Sequence, residues 1–180
     1  MNKLPSSQRY SQVTQIFHWA TAILVLVAFI YGLGGPEQRV YAASRDFDRQ
    51  LHETLGMAVL AVTVLRLLWR LFDTRPAPQS MASWMVISSK LVQAGLYLLL
   101  FAVPLTAIAG AWLEGHPLTL LAGLQVAPQI AESHDLGVTI SELHTWLGDA
   151  ILWLAGLHAV AALYHHFFLK DGVLKSMLPG

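Results

Sequence analysis

The sequence contains no cysteine among its 180 residues. This absence excludes disulfides, thiolate-ligated iron–sulfur clusters and haem attached covalently through a C-x-x-C-H motif. Charge is also scarce, because only 12% of the residues are charged and the formal net charge is zero. A soluble domain carries about 25% charged residues. The composition therefore argues against a soluble surface, and the zero net charge gives no indication of nucleic-acid binding.

Long apolar runs are abundant instead. Each is near the ~20 residues that cross a bilayer as a helix, and the first is expected to be retained because no small-residue cleavage site follows it. The segment 114–141 is predicted to be a loop, with the short apolar stretch Leu118–Val126 at the membrane interface. We predict an all-α protein with one domain over residues 1–180, an integral membrane four-helix bundle. The predicted helices span about 13–33, 51–71, 88–113 and 144–168.

Lysine and arginine are unevenly distributed about these runs. Positive residues concentrate on the cytoplasmic side of membrane proteins, so both termini are predicted to be cytoplasmic. Only three positive residues fall on the opposite side, Arg39, Arg45 and Arg49. The eight on the cytoplasmic side are Lys3, Arg9, Arg66, Arg70, Arg75, Lys90, Lys170 and Lys175.

Four histidines fall at two matched depths in this topology. His144 and His158 lie fourteen residues apart on the fourth helix, just under four turns, so they share a face and are roughly 21 Å apart along the axis. The helix directions place His52 beside His144 near the outer surface and His18 beside His158 further in. Neutral imidazole is a suitable axial ligand for haem iron. The geometry therefore predicts two non-covalent haems, each held between two histidines.

Each of the four histidines has a small residue one turn onward, which leaves a gap for a flat macrocycle. Such residues are also common at packed membrane helices, and a single histidine near a helix end is often only an interfacial polar residue. The joint pattern of four is what favours haem. The small residues are Ala22, Gly56, Gly148 and Ala162.

Arginines near both histidine pairs suit haem propionates, which a guanidinium binds in a bidentate manner. Arg66 and Arg70 lie near the inner pair, and Arg45 and Arg49 near the outer pair. The alternative for Arg66 and Arg70 is to reach anionic lipid headgroups. The remaining histidines are predicted to be polar loop residues (His116 and His134) or interfacial anchors (His165 and His166).

The motifs together resemble the bacterial cytochrome b561 family over nearly the whole chain. One departure is visible, because many relatives carry a histidine four residues before Tyr97, where this chain has Gln93. That position lies outside the four ligands and bears on an inner-side proton or quinone role. The motifs are His18-Trp19, His52-x3-Gly56, Leu65-Arg66-Leu67-Leu68-Trp69-Arg70, Leu96-Tyr97 with Pro104, Glu142-Leu143-His144, Gly156-Leu157-His158-Ala159, Tyr164-His165-His166-Phe167, Lys170-Asp171 and Met177-Leu178-Pro179.

The resemblance implies a diheme b-type cytochrome of the bacterial inner membrane that exchanges electrons with ubiquinone. Small stand-alone members are similar to superoxide oxidase, an oxidoreductase that passes electrons from superoxide to ubiquinone. A cationic outer surface would raise the local concentration of the superoxide anion, and Arg49, three residues from His52, is predicted to be the catalytic cation. The alternative partners of the outer arginines are the nearby acids Glu37, Asp46 and Asp48.

Two other functions stay open on the sequence. One is an electron-transfer subunit for a dehydrogenase or hydrogenase, although no protein partner is evident. The other is a histidine-lined metal transporter without haem. A transporter is expected to carry a chain of acidic intramembrane residues, whereas Asp149 is the only carboxylate well inside the fourth helix.

Overall fold

Four long helices dominate the computed structural model, which describes residues 9–32, 34, 37–74 and 81–178. All four are long and apolar enough to cross a membrane, so the predicted all-α, multi-pass membrane bundle is confirmed. Lys3, Arg75, Pro179 and the side chain of Glu37 lie outside the described part. The helices are α1 (Gln12–Ile30), α2 (Asp46–Arg70), α3 (Ser83–Leu113) and α4 (His134–Tyr164).

All four helices begin before the apolar runs that predicted them. α2 begins at Asp46 rather than at 51, and α4 begins at His134 rather than at 144. Acidic residues in the first turn stabilise a helix N-terminus, and Asp46 and Asp135 supply this in α2 and α4. The prediction of a loop was therefore wrong for residues 134–141, because hydropathy marks only the part of a helix that lies in hydrocarbon. α1 ends at Ile30 rather than at 33, and α3 begins at Ser83 rather than at 88.

The four helices form two well-packed pairs. α3 packs along α4 most extensively, and α1 packs against α2, whereas α1 and α4 touch only sparsely. Glycine allows the close α3–α4 approach, because a Cβ at Gly110 would lie 2.5 Å from Ser141 Oγ and one at Gly137 would lie 2.6 Å from Glu114 Cγ. Small residues serve this purpose in membrane helices. The position of α4 is thus fixed by α3, and the space that remains lies between α4 and the α1–α2 pair.

A small buried cluster occupies the centre of the bundle. It consists of Val59, Leu100 and Ile151 from α2, α3 and α4. Ile151 lies midway between His144 and His158 along α4. Many other apolar side chains are exposed, and Trp153 is 80% exposed. A contiguous exposed apolar surface of this kind is typical of a membrane protein.

A short hairpin covers the outer end of α2. It pairs β1 (Leu118–Thr119) antiparallel with β2 (Gln125–Val126). The Thr119 amide donates a hydrogen bond to the Glu53 carboxylate, and the Leu121 amide donates to Thr54 Oγ1 at 2.9 Å. The short apolar stretch Leu118–Val126, which was predicted to lie at the membrane interface, therefore folds back over the outer end of the bundle.

The inner end of α1 is tied to two other parts of the chain. The C-terminal turn Val173–Ser176 lies beneath it, where Gln15 Nε2 donates to the Ser176 carbonyl at 3.2 Å. Beyond the end of α2, Asp73 accepts hydrogen bonds from Ser11 Oγ at 2.8 Å and from Thr14 Oγ1 at 2.5 Å. Because Ser11 also caps α1 by accepting from the Thr14 amide, one carboxylate joins the helix start to the end of α2.

The Asp73 contacts predict a pH-dependent stability. The Thr14 hydroxyl, and after it the Ser11 hydroxyl, lower the pKa of Asp73 from its ordinary value of 3.8 against opposing desolvation. A depressed pKa in the folded state adds stability that is complete above the unfolded pKa and is lost as pH falls through the folded pKa. We expect Asp73→Asn to lower the free energy of unfolding by about 1 kcal/mol at pH 7. Thermal unfolding in detergent measures this, with the exposed Glu142→Gln as control. The difference from the wild type should shrink below about pH 3.8, and a difference that is constant over pH would contradict the role of charge.

Candidate functional site

The outer histidine pair joins α2 to α4. The rings of His52 and His144 have centroids 6.0 Å apart and planes at 79°. His52 Nδ1 lies 2.7 Å from the Ala28 carbonyl, and His144 Nδ1 lies 2.9 Å from the Val103 carbonyl. A carbonyl only accepts, so each Nδ1 must donate its proton, which leaves the Nε2 lone pair free. This anchoring by the second nitrogen is the usual support of a metal-bound histidine.

The inner pair joins α1 to α4. His18 and His158 have ring centroids 6.3 Å apart and planes at 71°. The support of this pair differs, because His18 Nδ1 lies 3.4 Å from Arg66 Nη2 rather than against a carbonyl. The structure therefore brings the four predicted histidines together in the two predicted pairs, with α4 contributing one member of each.

The separations within both pairs fit one metal ion between two imidazoles. Metal–nitrogen bonds of about 2.0–2.1 Å on both sides, with the ring radii added, place the two ring centres about 6 Å apart. The described residues offer no hydrogen-bond partner to the Nε2 atoms of the four histidines. Each site thus offers two imidazoles, which are a suitable axial pair for haem iron. At the outer site the Nε2 lone pairs are free, whereas at the inner site His18 Nδ1 faces Arg66, which only donates.

A cavity of about 340 Å³ adjoins the outer pair, and both His52 and His144 line it. Gly56 and Gly148, the two small residues predicted to leave a gap, line it as well. A Cβ at either glycine would meet no atom within 4 Å. The space beside the outer histidines is therefore open where a flat macrocycle would lie.

The hairpin and a carboxylate close the outer end of this cavity. Leu118, Glu53 and Asp149 are also among its lining residues. Glu53 accepts from the Thr119 amide and from Arg49 Nη1, the latter at 3.0 Å. Glu53 was not among the predicted site residues, although its position next to His52 and four residues after Arg49 was the available signal.

The outer arginines differ in exposure and pairing. The Arg49 side chain is only 11% exposed and lies between Asp46 and Glu53, at 2.8 and 3.0 Å. Arg45 pairs with Asp48 at 3.3 Å. Arg39 is exposed and donates to the carbonyl of Gly34, which lines the cavity. The catalytic role of Arg49 stays a prediction, and its surroundings are those of a buried ion pair.

The inner arginines have no carboxylate partner within the described part of the chain. Arg66 and Arg70 lie over the Tyr97 ring, at 5.4 and 5.7 Å from its centroid. Arg66 is half-buried and faces His18, whereas Arg70 is exposed. Uncompensated positive charge therefore lies beside the inner histidine pair, as binding of haem propionates there would require.

The other histidines do not join these sites. His116 stacks on Tyr41 with centroids 3.6 Å apart, and His165 Nδ1 lies 2.5 Å from Asp171 Oδ2. Within the residues that the structure describes, no group of three or more His, Cys, Asp or Glu side chains is placed to hold a metal ion.

Comparison with known proteins identifies the family of the chain. Residues 9–180 match the family described as prokaryotic cytochrome b561. Cytochrome b561 homolog 2 of Escherichia coli is 30% identical over 95% of this chain and 92% of the relative. The probable superoxide oxidase CybB of Yersinia pestis is 30% identical over 96% of this chain and 97% of the relative. Cytochrome b562 of Cereibacter sphaeroides is 30% identical over 94% of each. The chain therefore belongs to the prokaryotic cytochrome b561 family of membrane electron carriers that bind b-type haem.

Proposed function

We propose that the protein is a diheme cytochrome b that transfers electrons from superoxide to ubiquinone. The observation that carries the proposal is the two histidine pairs that α4 forms with α2 and with α1, with ring centroids 6.0 and 6.3 Å apart. His52 and His144 would hold the outer haem, and His18 and His158 the inner one. Haem supplies one-electron redox chemistry when bound.

The surrounding residues orient and enclose these ligands. The Ala28 and Val103 carbonyls keep the Nδ1 protons of the outer ligands in place, so both Nε2 atoms face the site. Gly56 and Gly148 leave the room that the macrocycle needs. Arg66, half-buried beside His18, supplies a guanidinium for an inner propionate. The cluster of Val59, Leu100 and Ile151 keeps the region between the two sites apolar.

In the overall reaction, two one-electron donors reduce one two-electron acceptor. Two superoxide anions lose one electron each and become two molecules of dioxygen, and ubiquinone takes up both electrons and two protons to become ubiquinol. A relative named probable superoxide oxidase supports this donor. Relatives named only as cytochromes do not indicate a donor. The alternative is that a dehydrogenase or hydrogenase partner supplies the electrons.

The proposed orientation places both termini in the cytoplasm and the outer pair at the periplasmic face of the inner membrane. The lysine and arginine distribution supports it. Superoxide would then meet Arg39, which is exposed beside the cavity wall at Gly34. The charge of Arg49 is offset by Asp46 and Glu53, so Arg39 is better placed than Arg49 to attract an anion.

Substitution of one histidine ligand at a time should distinguish the two haem sites. We expect His144→Ala to lose the outer haem and His158→Ala to lose the inner one, because each variant leaves the other pair intact. Pyridine haemochrome quantitation and reduced-minus-oxidised spectra measure the haem that each variant retains. Two normal low-spin haems per chain in both variants would contradict the assignment.

The open space at Gly148 predicts a position-specific loss of haem. Gly148→Leu would project a side chain into the outer cavity and is expected to reduce the haem content from two to about one per chain. Gly156→Leu is the matched control on the same helix, since a Cβ there also meets no atom within 4 Å, but Gly156 does not line the cavity. Equal haem loss in both variants would indicate a general effect on α4 rather than a filled site.

The superoxide route predicts a charge-dependent rate at the outer face. We expect Arg39→Gln to slow haem reduction by a superoxide-generating system about two- to fivefold at low ionic strength, with the difference shrinking as salt rises. Arg45→Gln, whose charge is already paired with Asp48, is the control. Stopped-flow spectroscopy in the presence of ubiquinone measures the rate, with and without superoxide dismutase.

Two outcomes of that experiment would count against the proposal. Haem reduction that the dismutase does not suppress would exclude superoxide as the donor and favour the partner-subunit function. A rate that falls in Arg49→Gln but not in Arg39→Gln, with haem content unchanged, would assign the steering role to Arg49 as the sequence predicted.

A further inference from the structure

An apolar groove runs along the lipid-facing surface of α2 and α3 toward the inner end of the bundle. Its volume is about 550 Å³, and Val64, Leu67, Leu68 and Leu71 of α2 line it together with Phe101 of α3. Leu68 and Leu71 are 51% and 76% exposed. Sites for small organic ligands have volumes of about 300–1,000 Å³, so the groove is large enough for part of an elongated apolar molecule.

One cation lines the groove as well. Arg70 belongs to its wall, lies in the last turn of α2 and is exposed. Its guanidinium is 5.7 Å from the centroid of the Tyr97 ring, which holds it near α3. An apolar channel with a single positive charge at the end nearer the membrane surface is complementary to an amphiphile with an anionic headgroup.

No described acidic side chain neutralises Arg70. Asp73, three residues further along the chain, accepts its hydrogen bonds from Ser11 and Thr14 instead. Arg66 and Arg70 share the Tyr97 ring, but only Arg66 faces His18 and only Arg70 lines the groove. The charge on Arg70 is therefore available to a ligand outside the haem sites.

We propose that this groove binds one acidic phospholipid of the inner leaflet, with the phosphate on Arg70 and an acyl chain along the leucines of α2. A guanidinium and a phosphate form strong charge-assisted hydrogen bonds, and the proposed topology places Arg70 on the leaflet that is rich in anionic lipid. Since α2 and α3 pack less extensively than α1 with α2 or α3 with α4, the acyl chain would also fill the space between them.

Native mass spectrometry of the haem-loaded protein tests the proposal. Delipidated protein in detergent is titrated with phosphatidylglycerol and, separately, with phosphatidylcholine that has the same acyl chains. We expect one phosphatidylglycerol to bind preferentially and its affinity to fall about tenfold in Arg70→Gln. Arg45→Gln, an exposed arginine at the opposite end of α2, is the matched control and should bind like the wild type.

A second variant tests the groove without altering its charge. Val64→Trp would fill the apolar groove and should weaken phosphatidylglycerol binding while the haem spectrum stays normal. Equal affinity for the two lipids, or unchanged binding in Arg70→Gln, would overturn the proposal. Loss of one haem in Arg70→Gln would instead assign Arg70 to a propionate. If ubiquinone co-purifies with the wild type but not with Arg70→Gln, and lipid binding is unchanged, the groove would be assigned to quinone instead.

Discussion

The position of α4 is the constraint on which both sites depend, because α4 supplies one histidine to each pair. The close contacts at Gly110 and Gly137 hold α4 against α3, and the opposing histidines come from the separate α1–α2 pair. The two halves of the bundle are therefore the α1–α2 pair and the α3–α4 pair. They meet through the histidine pairs as well as through apolar packing, and α1 and α4 touch only sparsely. Haem bound between the two histidines of each pair would therefore join the two halves, and haem loss would loosen the whole bundle.

Charge is organised differently at the two ends of the bundle. At the outer end, Arg49 and Glu53 form a buried pair that also fixes the hairpin over the cavity. At the inner end, Arg66 and Arg70 have no carboxylate partner among the described residues, so they are available to external anions. The outer end is thus suited to exclude water from its site and the inner end to bind anionic groups.

The sequence predicted which histidines pair with each other, but it did not predict the groups that hold those histidines in position. Depth in four apolar runs, together with the spacing of His144 and His158, was sufficient to pair the four histidines. The carbonyl partners of His52 and His144 were not predictable, because Ala28 and Val103 lie on other helices and every residue has a carbonyl. Composition also failed to mark the helix starts at Asp46 and His134, where polar residues continue a helix beyond the hydrocarbon. The different surroundings of Arg66 and Arg70 depend on how α2 rotates against α3, which an i, i+4 spacing does not determine.

The central claim is that the two histidine pairs hold two haems in one chain, and haem quantitation of the purified wild-type protein tests it most directly. Pyridine haemochrome analysis against quantitative amino-acid analysis, combined with electron paramagnetic resonance of the oxidised protein, gives both the number and the ligation state. The two histidine pairs predict two non-covalent b-type haems per chain, both six-coordinate and low-spin. A single haem per chain, or a high-spin haem in the intact protein, would contradict it.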